Sequence, residues 1–210
     1  MDFDAHLAQL CVLYQDLRIE LAAASARSLP LLDVLDSSVE HASTPQKIGG
    51  YRRLYFVRRS IATIREFADC LRYLRKCPEF ARLRESADHT AEIFDAALRF
   101  FSTNADTFRT SRNNIGGHFG MESAKFAVSR LDSKTVGRIE FVMDQQDRTA
   151  NMRLHFVHEI VSIAATKGLP GATPQEKVET LFDKVSDAYQ HATKVVQAMV
   201  NAELWQRFGK

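Results

Sequence analysis

Residues 173–202, TPQEKVETLFDKVSDAYQHATKVVQAMVNA, decide the fold. Thr173 is placed to accept from the backbone amide of Glu176 while the Glu176 side chain reaches back. Pro174 suits a first helical turn because its missing N–H loses nothing there. Behind this start, Val178, Leu181, Val185, Ala188, Ala192, Val195, Met199 and Ala202 recur at steps of three and four, the spacing of one buried stripe on a long helix reaching Trp205.

The same period recurs upstream. Phe3, Leu7, Leu10, Tyr14, Leu17, Leu21 and Ala24 form the stripe of a first helix that ends before Pro30. Residues 29–50, with Pro30, Pro45, Gly49 and Gly50, read as a connection holding at most a short helix. A second helix begins near Tyr51, buries Leu54, Val57, Ile61, Ile64, Ala68, Leu71 and Leu74, and is stopped by Pro78. A third starts near Asp88 with Phe94, Leu98, Phe101, Ala105 and Phe108 on one face. One more step of four lands on Arg112, which predicts that this arginine emerges at the inner edge of a packed helix.

Met121, Ala124, Val128 and Leu131 suggest a short fourth helix. Ile139, Phe141 and Met143 alternate as in a strand and DQQDR at 144–148 reads as a turn, so the interval 137–156 is assigned to a small hairpin or an irregular excursion. A helix returns from about Arg153 to Lys167 and is stopped by Gly168, Pro170 and Gly171. The expectation is an all-α fold, a single-domain helical bundle over residues 1–210 with C-terminal helices within 153–207. There is no repeat of fixed period and no low-complexity tract.

At 210 residues and 45% apolar content the chain is long enough for one sizeable core. No apolar run approaches the roughly 20 residues of a membrane span. Met1, Asp2, Phe3 and Asp4 lack a basic leader, so a cytoplasmic protein without membrane association is expected. Cys11, Cys70 and Cys77 form no CxxC and fall at helical core spacing, as reduced, buried thiols do. The net charge of +2 is unevenly spread: 3 basic and 7 acidic residues in 1–50, 10 and 4 in 51–85, 15 and 15 in 86–210. The basic segment makes an anionic partner plausible.

Residues 111–120, SRNNIGGHFG, hold an Arg, two Asn, a His and three of the chain's nine glycines. Arg112 and His118 would stand about 120° apart on an unbroken helix, and Gly116 with Gly117 lets the chain bend so that both face one cleft. A guanidinium holds a phosphate with a bidentate fork, and imidazole exchanges a proton near neutral pH. In RNA the 2′-OH is an internal nucleophile, so a base for it and a cation for the developing negative charge suffice without a metal. Asn113 can orient either group or a phosphate oxygen, and no acidic cluster for a two-metal site accompanies the motif.

The run Arg112-Asn113-Asn114-Ile115-Gly116-Gly117-His118 resembles the signature of the HEPN (higher eukaryote and prokaryote nucleotide-binding) family, an Arg, usually a polar residue, then a His four to six residues beyond the Arg. The resemblance implies a metal-independent endoribonuclease that needs no cofactor. It further implies a homodimer with a composite site, products ending in a 2′,3′-cyclic phosphate and a 5′-OH, and a toxin or defence role with a protein antitoxin or regulator. Arg112, Asn113 and His118 carry over. Some family toxins place a modifiable Tyr two residues after the His, where this chain has Gly120.

Against this stands a reading in which Arg112 caps a helix, the glycines turn a corner and the bundle is a non-catalytic module binding a protein or nucleotide. Arg58, Arg65 and Arg72 repeat every seven residues along the second helix and, with Arg52, Arg59 and Arg75 nearby, could track an RNA backbone. Their alternative is a solvated face paired to Glu66 and Asp69, and Arg59 and Glu66 could instead pair with the motif. His155, His158 and Glu159 share a helix face and raise a metal site, against which a surface or core histidine stands as the simpler reading. His6, His41, His89 and His191 are isolated, and Ser111 has no acid–base relay.

Overall fold

The computed structural model describes residues 2–25, 45–86, 88–115, 121–131, 139–143, 150–154 and 157–208. The helices are α1 (Phe3–Ser25), α2 (Pro45–Leu74), α3 (Pro78–Ser86), α4 (Asp88–Thr103), α5 (Ala105–Ile115), α6 (Met121–Val128), α7 (Val157–Ala165) and α8 (Pro174–Phe208). Two strands, β1 (Ile139–Met143) and β2 (Ala150–Leu154), pair antiparallel from Ile139 opposite Leu154 to Met143 opposite Ala150. The chain is an all-α single-domain bundle carrying this one ribbon. Residues 150–154, whose last two were expected to open a helix, are strand, and α7 begins at Val157.

α1 lies against α2, and α8 closes the bundle across α4, α1 and α2. The core follows the predicted stripes: Leu10, Leu17 and Ala24 from α1, Ile61, Ile64 and Leu71 from α2, Val185, Ala192 and Met199 from α8 are all buried. Aromatic rings join the layers, Phe67 of α2 to Phe101 of α4 at 5.6 Å and Phe80 of α3 to Phe94 of α4 at 4.2 Å between centroids. Deleting one such ring typically costs about 3–5 kcal/mol, so this seam fixes how α4 sits.

Four expectations are corrected. α2 begins at Pro45, and Gly49 and Gly50 are helical. Proline serves as well at the first helical position as it does as a breaker. Pro78 likewise ends nothing: α2 has stopped at Leu74, and Pro78 opens α3, which buries Phe80 and Leu83. The third predicted helix is two helices meeting at Asn104, whose buried Nδ2 donates to the Phe100 carbonyl at 2.9 Å while its backbone N–H donates to the same oxygen at 3.1 Å. On α6 the buried residues are Ser123 and Ala127, whereas Met121 is 71% and Val128 57% exposed. A helix of eight residues is too short for periodicity alone to choose its face.

α8 opens as its sequence dictates. The Glu176 N–H donates to Thr173 Oγ1 at 3.2 Å, and Glu176 Oε2 accepts from the backbone N–H of Ala172 at 2.8 Å and of Thr173 at 3.4 Å. The turn that follows α7 closes at Gly168, whose φ of 78° lies in the left-handed region that glycine adopts without strain. Among the described residues no helix is long and apolar enough to cross a membrane.

Candidate functional site

Across the turn at Asn104 the predicted stripe holds as far as Phe108, buried like Phe101, and the departure comes after it in α5. Its buried positions are Phe108, Ser111 and Asn114, a step of three, and Arg112 follows Ser111 by one residue, about 100° around the axis. Arg112 is therefore exposed, not at the inner edge that an uninterrupted helix predicted, and Asn113 beside it is exposed as well. His118, Gly116, Gly117 and Gly120 lie outside the described residues.

The inner side of the same turn is fixed. Asn114 Nδ2 donates to the Lys167 carbonyl at 3.0 Å, tying the end of α5 to the end of α7. Gly168 sits against Thr110, its position for a Cβ lying 3.6 Å from the Thr110 methyl. Ser111 is fully buried and its Oγ has no hydrogen-bond partner among the described residues. One helical turn thus has an anchored inner face and presents an arginine and an amide to solvent.

Arg65 and Arg72 come together across from α5. They line a cleft of about 160 Å³ whose floor is Ile64, Ala68, Phe101 and Phe108 and whose far rim is Arg109. Two carboxylates temper it: Asp69 pairs with Arg72, and Asp106 pairs with Arg109 at 2.9 Å. Arg65 has no carboxylate partner among the described residues. Arg58, half-buried, does not line this cleft. Arg109 was missed from the sequence although it stands one turn before Arg112.

Arg59 and Glu66 do not join the motif through any contact among the described residues. Arg59 Nε lies 3.6 Å from Glu20 Oε1, and the buried Glu20 carboxylate accepts from Thr63 Oγ1 at 2.9 and 3.1 Å. Burial raises the pKa of Glu20 above the usual 4.5, with the Thr63 hydroxyl and Arg59 opposing and Asp16 and Glu66 assisting.

A second cleft of about 360 Å³ gathers Asp2, Asp4, Glu79 and Glu203 with Arg82 and Arg207, a carboxylate-rich lining that would repel a polyanion. Among the described residues no group of three or more His, Cys, Asp or Glu is placed to hold a metal ion. His155 and the side chains of His158 and Glu159 lie outside the described residues. His191 is half-buried and stacks on Phe100 at 4.4 Å, its pKa lowered by burial and by Lys194. Cys70 donates its Sγ–H to the His6 carbonyl at 3.2 Å, and burial pushes its thiol pKa up to about 11, which favours the neutral thiol.

The last component was not legible in the sequence. Phe126 of α6 carries Arg130 at 4.6 Å and Lys167 at 4.8 Å from its ring centroid, so two cations gather where the ends of α5, α6 and α7 meet. Compared with known proteins, the chain matches no family model, no curated protein and no solved structure.

Proposed function

We propose that this protein is a metal-independent endoribonuclease of the HEPN type, acting as a homodimer on RNA. The observation that supports the reading is the exposed pair Arg112 and Asn113 on a turn anchored from behind by Asn114, directly ahead of the Gly-Gly-His run. Arg112 binds the scissile phosphate with two N–H donors, and Asn113 orients a phosphate oxygen. The 2′-oxygen attacks phosphorus as its proton passes to a base. The P–O bond to the 5′-oxygen breaks, and that oxygen takes a proton; His118 serves one of the two transfers. The products are a 2′,3′-cyclic phosphate and a 5′-OH.

Arg65 and Arg72, with Arg58 along the same helix, supply salt-dependent contacts to the RNA backbone. A cytoplasmic toxin or defence role, held in check by a protein antitoxin or regulator, follows from this reading. The test is cleavage of a labelled, structured RNA in EDTA by wild type, Arg112→Ala and His118→Ala, with circular dichroism confirming that each folds. Cleavage by wild type alone, leaving cyclic phosphate ends, is expected. Intact RNA with folded wild type would sink the catalytic assignment. A monomer by light scattering at concentrations that cleave would sink the dimer.

One observation favours a second reading. Ser111 and Asn114 of the same stretch are committed to packing, as in a corner that only joins helices, and the bundle would then be a non-catalytic module for a protein or nucleotide. RNA binding without cleavage by the folded wild type would select it.

A further inference from the structure

We infer that Arg130 and Lys167, gathered on the ring of Phe126, form a second phosphate-binding point at the α6–α7 end and hold the backbone of the RNA. This inference rests on the proposed action on RNA and adds residues to it.

The argument begins with charge. Arg130 and Lys167 approach one ring at 4.6 and 4.8 Å, so the two like charges stand within about 10 Å of each other, no more than a Debye length at ordinary ionic strength. Neither has a carboxylate partner among the described residues, and the adjacent Lys125 is already paired, its Nζ 3.1 Å from Glu122. Two cations collected by one aromatic ring, with no carboxylate partner among the described residues, are relieved by an anion that contacts both. A phosphodiester group, with two charged oxygens, fits a guanidinium fork on one side and an ammonium on the other.

Position supplies the second step. The backbone of Lys167 is the acceptor for Asn114, two residues beyond Arg112, so the cation pair is tied to the turn that presents the motif arginine. Asn114 stands about 200° around the axis from Arg112, so an RNA whose phosphate sits on Arg112 reaches the α6–α7 end by passing round α5.

The test uses the full chain and a fluorescent, short 2′-O-methyl RNA, which binds without being cut, read by anisotropy over a salt series. Arg130→Gln and Lys167→Gln are each expected to weaken binding about five-fold at 0.1 M salt and to reduce the salt slope by about 0.7. Phe126→Leu keeps both charges and is expected to weaken binding by releasing them. Lys194→Gln, an exposed lysine on α8, should change nothing. Circular dichroism checks each fold, and exposed Arg130 can be replaced without disturbing the core.

Wild-type binding with Arg130→Gln and Lys167→Gln indistinguishable from Lys194→Gln would overturn this inference and leave the ribonuclease reading standing. Displacement of the RNA by inorganic phosphate at low millimolar concentration would reduce the point to a lone anion site and also overturn it. No RNA binding by folded wild type would overturn both. Binding that depends on Arg130 and Lys167, with no cleavage of ordinary RNA, would keep the inference and retire the catalysis.

Discussion

Replacing Thr63 by Val should destabilise the protein by about 2 kcal/mol at neutral pH, and by less in acid. The Thr63 hydroxyl is the described hydrogen-bond donor to the Glu20 carboxylate, at 2.9 and 3.1 Å, inside the α1–α2 contact where Glu20 is only 7% exposed. Arg59 is the other support, at 3.6 Å and largely in water, where screening weakens it. A hydrogen bond to a buried charge is worth roughly 1.5–3 kcal/mol, and valine keeps the shape while removing the donor.

Thermal unfolding by circular dichroism should show Tm falling by about 4–8 °C for a domain of this size. The pH dependence follows from burial, which raises the Glu20 pKa above 4.5 in the folded state. Between the unfolded and folded pKa values the native protein binds more protons, so stability falls as pH rises through that window. Thr63→Val removes an interaction that lowers this pKa, which extends the window upward and deepens the fall. Glu20→Gln should flatten it. An equal loss for Thr63→Val at about pH 5 and pH 8, or an unchanged profile for Glu20→Gln, would refute the reasoning.

Thr173→Ala removes half of the capping box at the start of α8 and should cost about 1 kcal/mol in denaturant titration, with an unchanged slope. Ser111→Ala deletes a buried hydroxyl that has no partner among the described residues and should leave stability unchanged or raise it, whereas Asn114→Ala should cost about 1 kcal/mol by orphaning the Lys167 carbonyl. Native protein at about pH 8 should leave Cys70 and Cys77 unmodified by a thiol reagent, both being buried with raised pKa, and denaturation should expose them.

The long helices were legible because burial on one side of a helix writes a period that twenty or more residues repeat, as in α1 and α8. The capping box was legible because it is local. Three features were not. Pro78 carries opposite meanings at the end of one helix and the start of the next, and only packing of Phe80 on Phe94 decides between them. The stripe of the Phe-rich stretch stays in phase across Asn104, with Phe101 and Phe108 both buried, and only beyond Phe108 does burial continue by threes to Ser111 and Asn114, which leaves Arg112 at the surface. The gathering of Arg130 and Lys167 on Phe126 depends on α6 meeting α7, which no spacing in the sequence encodes.

The hydrogen bond from Asn114 to the Lys167 carbonyl joins residues 53 apart. Closing a loop of that length costs roughly 3.5 kcal/mol of chain entropy by the logarithmic rule. The turn that presents Arg112 therefore gains its anchor late in folding, after the nearer partners α4 and α5 have formed. During synthesis the order is stricter, since a ribosome must release the chain past Lys167 before the anchor can exist. Whatever Arg112 does, it does in a molecule already made through α7, and a chain truncated earlier would carry the same motif on an untethered helix end.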